Sequence, residues 1–342
     1  AVVGLVFLIG VIRPVIVGTS AGWTGQDWVN EIKELFMLAI SLAIAAVPEG
    51  LPAVVTICLA LGMQEMVKRH ALIRRLASVE TLGSAMVICS DKTGTLTQNQ
   101  MTTVRVWADH KLYSVTGRGY NPEGDFALNE ETIDIDEHPT LRNTLWGGVM
   151  CNDAELEEQD DGEDAYRMVG DPTEGAMVVA GAKAGFWRHK QESMYPRVNE
   201  IPFDSERKRM STFHGLDGSD PDGASPILPQ ADGAGYIVVV KGAPDLVLQR
   251  CAMLQTDEGP TPMSDAMRQE ILDANAGMAS DALRVLAVAY RPMPELPEEL
   301  KPDKLEQDLV LVGLQGMIDP ARPEVMPAVK RAQGAGLRTI MV

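Results

Sequence analysis

The stretch VICSDKTGTLTQNQMT, Val87 to Thr102, sets a carboxylate, Asp91, at the end of a short apolar run and follows it with Lys92, Thr93, Gly94 and Thr95. In α/β proteins, chemistry gathers outside the carboxyl ends of strands. A carboxylate in that position, among backbone N–H groups and hydroxyls able to hold phosphate oxygens, is suited to accept a phosphoryl group. The product would be an aspartyl phosphate, and Mg2+ would be needed to offset the charge between Asp91 and the incoming group. Lys92 stands further round the loop and is not the main catalyst. The competing role for an Asp after a strand is a helix N-cap, which suits a lone Asp-x-x-Gly but not the whole run Asp91–Thr97.

The elements that must position Asp91 are legible around it. Helical spacing in SVETLGSAM feeds the strand VICS, and a second strand-like run that also ends in an aspartate, LVLVGLQGMID, spans Leu309 to Asp319. Between them lie acidic loops such as ELEEQDDGEDAYR, turn-rich stretches such as DGSDPDGASPILPQADGAG, and short strands such as YIVVVKGA. This middle reads as an inserted domain, and its acidic runs as solvated loops. The chain has 342 residues, 45% of them hydrophobic, enough for two or three domains. A net charge of -18 argues against nucleic acid or an anionic membrane surface as partner. Cys58, Cys89, Cys151 and Cys251 are too scattered for a disulfide framework or a zinc site, which fits a reducing compartment.

Two apolar runs approach or exceed the roughly 20 residues a bilayer requires. One reaches to Val17 and the other extends from Leu35 to Met63. Lys68, Arg69, Arg74 and Arg75 follow the second and place that end in the cytoplasm. Within it, AIAAVPEGLP sets Pro48 and Pro52 around Glu49 and Gly50. Such a pair should break the helix and free carbonyls that hydrocarbon does not tolerate unpartnered. A hard cation such as Ca2+ is a suitable partner for those carbonyls and one carboxylate. A simple proline kink with Glu49 protonated or snorkelling is the alternative, although a midspan carboxylate points to function.

The seven residues DKTGTLT at Asp91–Thr97 resemble the phosphorylation signature of the P-type ATPases, within the haloacid-dehalogenase superfamily. The resemblance implies that Asp91 is the phosphorylated nucleophile, that Lys92, Thr93 and Thr95 belong with it to the catalytic loop, and that Asp91 and Thr93 hold Mg2+. Related phosphatases commonly carry an acid two residues after the nucleophile, where this chain has Thr93, so the phosphoenzyme should persist. PEGLP resembles the ion-binding helix of type II calcium pumps, which implies that the carbonyls of Ile44, Ala45 and Val47 and the carboxylate of Glu49 are ligands of the transported cation. Ca2+ and Mn2+ both accept this oxygen set, whereas a heavy-metal pump would carry a Cys-Pro pair.

In the inserted domain, VGDPTEGAM, IPFDSERKRM, VVVKGAPD and ALRVLAVAY match the family's nucleotide-binding pieces in order. They imply ATP contacts at Glu174, Phe203, Lys208, Lys241 and Arg284, with the aromatic ring stacking on adenine; an aromatic face with cations suits a purine triphosphate. Ser205 departs from the arginine that calcium-pump relatives often carry, and Arg207 is a possible substitute for it. MIDPARPEV resembles the hinge by which the chain re-enters the phosphorylation domain, with Asp319 and Arg322 at matching positions.

The expected architecture is an α/β cytoplasmic part plus transmembrane α-helices. Its parts are a haloacid-dehalogenase-like, Rossmann-type phosphorylation domain and an inserted α+β nucleotide-binding domain. The boundaries are a transmembrane helix over 1–17, an extracytoplasmic loop over 18–34, a broken transmembrane helix over 35–67, the first part of the phosphorylation domain over 68–105, the nucleotide-binding domain over 106–308, and the second part of the phosphorylation domain over 309–342. Both ends look cut, and the actuator domain, later ion-binding helices and Mg2+-binding motif of the family are absent. The resemblance implies an ATP-driven, multi-pass cation pump of a prokaryotic plasma membrane, whose partners are ATP, the cation, the lipid bilayer and the remainder of the same pump. The alternatives are a nucleotide-binding module or remnant without transport, and a haloacid-dehalogenase-type phosphatase.

Overall fold

The computed structural model describes residues 8–10, 12, 16, 24–48, 50–159, 166–216 and 233–342. They form two compact units, Ala1–Ile88 with Gly336–Arg338, and Cys89–Ala335 with Thr339–Val342.

The first unit is built on α1 (Gly25–Ala45), α2 (Gly50–Val67) and the short α3 (Ala77–Gly83). Asp27 starts α1 by accepting from the Thr24 amide at 2.8 Å and the Thr24 hydroxyl at 2.6 Å. The helix therefore begins at Gly25, inside the segment 18–34 read from sequence as a loop. The stretch Gly25–Val67 is long and apolar enough to cross a membrane. Its large apolar side chains, among them Phe36, Leu38, Leu51, Val54, Ile57 and Leu61, are exposed. Most of the apolar run over 1–17 lies outside the described residues.

The second unit is organised by one large sheet. Strand β1 (Val87–Ser90) precedes it, and the sheet opens with β2 (Thr102–Ala108), β3 (Lys111–Val115), β4 (Phe126–Leu128) and β5 (Glu131–Thr132). Helix α4 (Pro139–Met150), a separate hairpin of β6 (Glu155–Glu158) and β7 (Tyr166–Val169), and helices α5 (Pro172–Lys183) and α6 (Arg188–Met194) follow. The sheet resumes with β8 (Arg197–Asp204), β9 (Arg209–Gly215) and β10 (Tyr236–Gly242). After α7 (Pro244–Leu248) come β11 (Cys251–Thr256), β12 (Gly259–Pro262), α8 (Asp265–Ser280), β13 (Arg284–Met293) and α9 (Pro302–Leu305). The chain then runs through β14 (Leu309–Ile318), α10 (Val325–Gly334) and β15 (Arg338–Met341).

The sheet order is β5-β4-β3-β2-β14-β13-β10-β9-β8, every neighbouring pair on that path being antiparallel, with β11 and β12 branching from β14. Its centre is buried on both faces, and the period-two alternation of strands divides the side chains between two cores. Ile237, Val239, Val288, Val310 and Val312 pack with α4 and α5 through Leu141, Leu145, Trp146 and Met177. Their neighbours Val238, Val240, Ala287, Ala289 and Leu311 face the opposite way, onto Val247, Leu248, Ile271 and Met278 of α7 and α8. Each such fully buried aliphatic side chain stabilises by roughly 1.5–3 kcal/mol. Gly313 marks a tight crossing, since a Cβ there would lie 2.4 Å from the Trp107 carbonyl oxygen and 2.5 Å from Thr144 Oγ1.

This topology moves a boundary. The run Leu309–Ile318, read from sequence as the return to the phosphorylation domain, is a central strand of the large sheet, with Gly313 opposite Ala108 and Ile318 opposite Thr102. The sheet thus spans Thr102 to Ile318, wider than the 106–308 assigned from sequence. An apolar run announces a buried strand without saying which sheet it joins. A separate two-stranded sheet pairs β1 with β15. The Val342 amide donates to Ser90 O at 3.0 Å and the Arg338 amide to Met86 O at 2.9 Å, an equal offset that makes the pair parallel.

One buried titratable group yields a pH test. His214 on β9 is fully buried, its Nδ1–H directed at the Tyr195 carbonyl (3.1 Å) and its Nε2 2.9 Å from Thr212 Oγ1. Burial pushes its pKa down to about 4, from an ordinary value of 6.5. Above pH 6.5 the imidazole is neutral in both folded and unfolded chains; below it the unfolded chain binds the proton first, so stability is lost as pH falls toward 4. Replacing His214 by Gln should remove roughly 2–3 kcal/mol of the stability difference between pH 7 and pH 4.5, read from urea unfolding at the two pH values.

Candidate functional site

Asp91 stands one residue beyond the carboxyl end of β1, in extended backbone with φ -64° and ψ 146°. The next five residues, Lys92–Leu96, fold into a tight turn that is not helical, because Thr93 is extended and Gly94 has φ +74°. Only glycine adopts that φ without strain, so Gly94 lets the chain reverse directly after the carboxylate. The side chains of Asp91, Lys92, Thr93 and Thr95 are exposed.

The far side of the turn is tied down. Thr97 Oγ1 accepts from the Gly94 amide at 3.2 Å and donates to Asp319 Oδ2 at 2.5 Å. Asp319 Oδ1 accepts from the Gln100 amide at 3.2 Å. Arg322 donates its amide to Leu96 O at 2.9 Å and Nη2 to Gly94 O at 3.1 Å, and the Gln98 amide donates to Pro320 O at 3.0 Å. A β-bridge between Thr97 and Ala321 completes the clamp. The turn is thereby held in place while the carboxylate is exposed; among the described residues no hydrogen bond or ion pair engages that carboxylate. Thr97 was not singled out from sequence, although it closes the seven-residue run. Its spacing from Gly94 was the available signal.

The second group of residues lies at one end of the large sheet. The register places Arg209 opposite Gly242 and Gly242 opposite Ala287, so the β8–β9 turn, the end of β10 and the start of β13 share that end. Lys241 on β10 is buried and donates to Glu174 Oε1 at 2.6 Å; Glu174 Oε2 accepts from the Asp153 amide at 3.0 Å. Arg284 donates from Nη1 to Thr173 Oγ1 at 2.6 Å, next to Glu174 on α5. The structure therefore joins Glu174 directly to Lys241 and brings Arg284 to the adjoining residue.

Phe203 and Lys208 lie at either side of the β8–β9 turn, and Phe203 is 63% exposed, unusual for an aromatic with a large core available. Lys208 has φ +49° and passes its carbonyl to the Ala243 amide at 3.0 Å, which fastens the turn to the end of β10. Arg207, considered as a substitute for the arginine missing at Ser205, is already engaged, with Nη1 on Glu306 Oε1 at 2.5 Å and Nη2 on Pro202 O at 2.7 Å. An exposed aromatic face beside fixed cations can hold a flat base and its phosphates.

Ile44, Ala45 and Val47 lie where α1 ends and before α2 begins at Gly50. The Ile44 carbonyl accepts from the Val47 amide at 3.1 Å, replacing the partner that Pro48, having no N–H, cannot supply. Glu49 lies outside the described residues.

An exposed strand-end carboxylate on a clamped turn, together with a large sheet that presents an aromatic side chain and cations at one end, defines a class of mixed α/β module. The comparisons narrow this class. The family model described as P-type ATPase, cytoplasmic domain N, matches residues 140–324. A calcium-transporting ATPase of Bacillus subtilis is 43% identical over 313 residues, 92% of this chain and 33% of that protein. The cation-transporting ATPase pma1 of Synechocystis is 43% identical over 314 residues, 90% of this chain and 32% of that protein. Calcium-transporting ATPase 1 of Bacillus cereus is 38% identical over 309 residues, covering 90% of this chain and 30% of its own length. The chain belongs to the P-type ATPase family and spans about a third of the length of the curated relatives it matches.

The clamp predicts a local stability change. Thr97→Val removes the hydroxyl that bridges Gly94 and Asp319, and the loss of about 1 kcal/mol per hydrogen bond should speed amide exchange at Gly94 and Gln100 roughly tenfold. Hydrogen exchange of the two proteins, followed by mass spectrometry, measures this; the amides of β14 should be unaffected.

Proposed function

We propose that this chain is the catalytic part of an ATP-driven cation pump, with Ca2+ as the transported ion and Asp91 as the residue phosphorylated. The observation that carries the reading is the exposed carboxylate of Asp91, with no hydrogen-bond partner among the described residues, on a turn held by Asp319 and Arg322. A nucleophile needs a free lone pair and a fixed approach, and this arrangement supplies both. The names of the calcium- and cation-transporting relatives support the choice of ion.

In the proposed reaction an oxygen of Asp91 attacks the γ-phosphorus of ATP, the bond from that phosphorus to the bridging oxygen breaks, and ADP leaves with the electron pair. Glu174, Phe203, Lys208, Lys241 and Arg284 hold the nucleotide, the ring against adenine and the cations against its phosphates. Thr95 and the amides of the turn stabilise phosphoryl oxygens, while Lys92 remains at the turn surface. Oxygen atoms of Asp91 and Thr93 suit Mg2+, a hard cation that takes one or two protein oxygens alongside those of the nucleotide. When bound, it would neutralise charge between the carboxylate and the phosphoryl group. Thr93 carries no carboxylate to activate water, so the acyl phosphate persists long enough to be coupled to ion movement.

In the same proposal Asp91 belongs to a phosphorylation domain of the haloacid-dehalogenase type, and the apolar segments span a prokaryotic plasma membrane. The carbonyls of Ile44, Ala45 and Val47 and the carboxylate of Glu49 contribute to the ion site.

The reading is tested in the full-length parent protein. ATP should label it with a hydroxylamine-sensitive phosphate in a Ca2+-dependent manner, and Asp91→Asn should abolish the label; labelling that survives would overturn the mechanism. Glu49→Gln should raise the Ca2+ concentration needed for half-maximal labelling by at least roughly tenfold, the change expected when a hard cation loses a charged ligand. An unchanged Ca2+ dependence would remove Glu49 from the ion site.

A further inference from the structure

Glu306 lies at the end of α9, far in sequence from the β8–β9 turn, and is fully buried. A buried carboxylate is costly unless several donors satisfy it. Here Arg207 donates from Nη1 to Oε1 at 2.5 Å, Ser211 donates to the same oxygen at 2.7 Å, and Arg209 donates from Nε to Oε2. The carboxylate thus holds the guanidiniums of the two residues that flank Lys208 in sequence.

Each guanidinium uses a second donor on the backbone. Arg207 Nη2 binds the carbonyl of Pro202 at 2.7 Å, and Arg209 Nη1 binds the carbonyl of Arg207 at 3.1 Å. Those carbonyls belong to the residues immediately before Phe203 and Lys208. The rigid fork of an arginine can bridge a carboxylate and a carbonyl at once, so one buried charge sets the backbone entering both exposed side chains. A ring fixed before binding spares the ligand the cost of ordering it.

We propose that Glu306 is a positioning residue for nucleotide binding, acting through Arg207 and Arg209 to hold Phe203 and Lys208 in their binding orientation. The inference rests on the nucleotide reading of Phe203 and Lys208 given above. It adds a fully buried residue that lies outside every motif recognised in the sequence.

The test is a double-mutant cycle on the full 342-residue chain, with trinitrophenyl-ATP fluorescence as the binding signal and ATP as the displacing ligand. Glu306→Gln should weaken ATP roughly tenfold, the scale of losing the preorganisation of a ring and a long side chain. In a Phe203→Ala background the same change should weaken ATP twofold or less, because the ring it positions is gone. A purely structural role would lower the folded fraction without making the two substitutions non-additive. Arg207→Lys provides an independent arm if Glu306→Gln does not fold: it keeps the charge and leaves Glu306 paired with Arg209 and Ser211, but it cannot span Glu306 and Pro202. It should reproduce the tenfold loss and the same dependence on Phe203. Equal losses in both backgrounds, or no loss in either, would overturn the inference while leaving the nucleotide reading intact. A wild-type chain that binds no trinitrophenyl-ATP would overturn the nucleotide reading and this inference with it.

Discussion

Antiparallel pairing of β2 with β14 is the constraint on which the second unit depends. Ile318 lies opposite Thr102, so the chain just before β2 and the chain just after β14 must run side by side. That is why Thr97 meets Asp319 across a separation of 222 residues and why Arg322 reaches the carbonyls of Leu96 and Gly94. Closing so long a loop costs entropy, but the cost grows only logarithmically with length, and burial of β14 on both faces offsets it. The shape of the Asp91 turn is thus inherited from a sheet register set elsewhere in the molecule.

The same sheet arranges the proposed nucleotide site. The N-terminal turn of α5 brings Glu174 to Lys241 on β10 and Thr173 to Arg284 on β13. The register through β9, β10 and β13 sets the β8–β9 turn at the same end. Charges there are mostly paired with each other, and the exposed Phe203 ring is the conspicuous exception to burial. An aromatic left in water beside a large core forgoes stabilisation that a ligand can recover. The two groups of residues stand on different sheets, the small β1–β15 pair and the large one, and so on separate frameworks.

Much of this was legible in local sequence. Asp91 after VICS and the interruption of the apolar helix at Pro48 are short-range effects of residue type, and the structure contains both. The start of α1 at Gly25 was missed because the polar residues of its first turns resemble a loop, while the Thr24–Asp27 cap that begins the helix is a weak signal. The run Leu309–Ile318 was recognised as a buried strand but assigned to the wrong side of a boundary. Apolar character reports burial, and only pairing reports the sheet.

What the sequence by itself determined was the chemistry on offer: a strand-end carboxylate without an acidic neighbour at Thr93, a set of cations with one aromatic, and a proline-broken apolar helix around Glu49. Those follow from side-chain type and spacing within a few residues, where covalent geometry limits the outcomes. What only the tertiary structure decided was partnership. Arg207 stood, on sequence grounds, as a substitute for the arginine missing at Ser205, yet it is committed to Glu306 and Pro202; Thr97 gained its partner in Asp319, and Glu306 its partners from a turn far from it in sequence. The reason is physical: a buried charge takes whichever donors the sheet register brings within hydrogen-bond reach, and that register is set by packing over the whole domain.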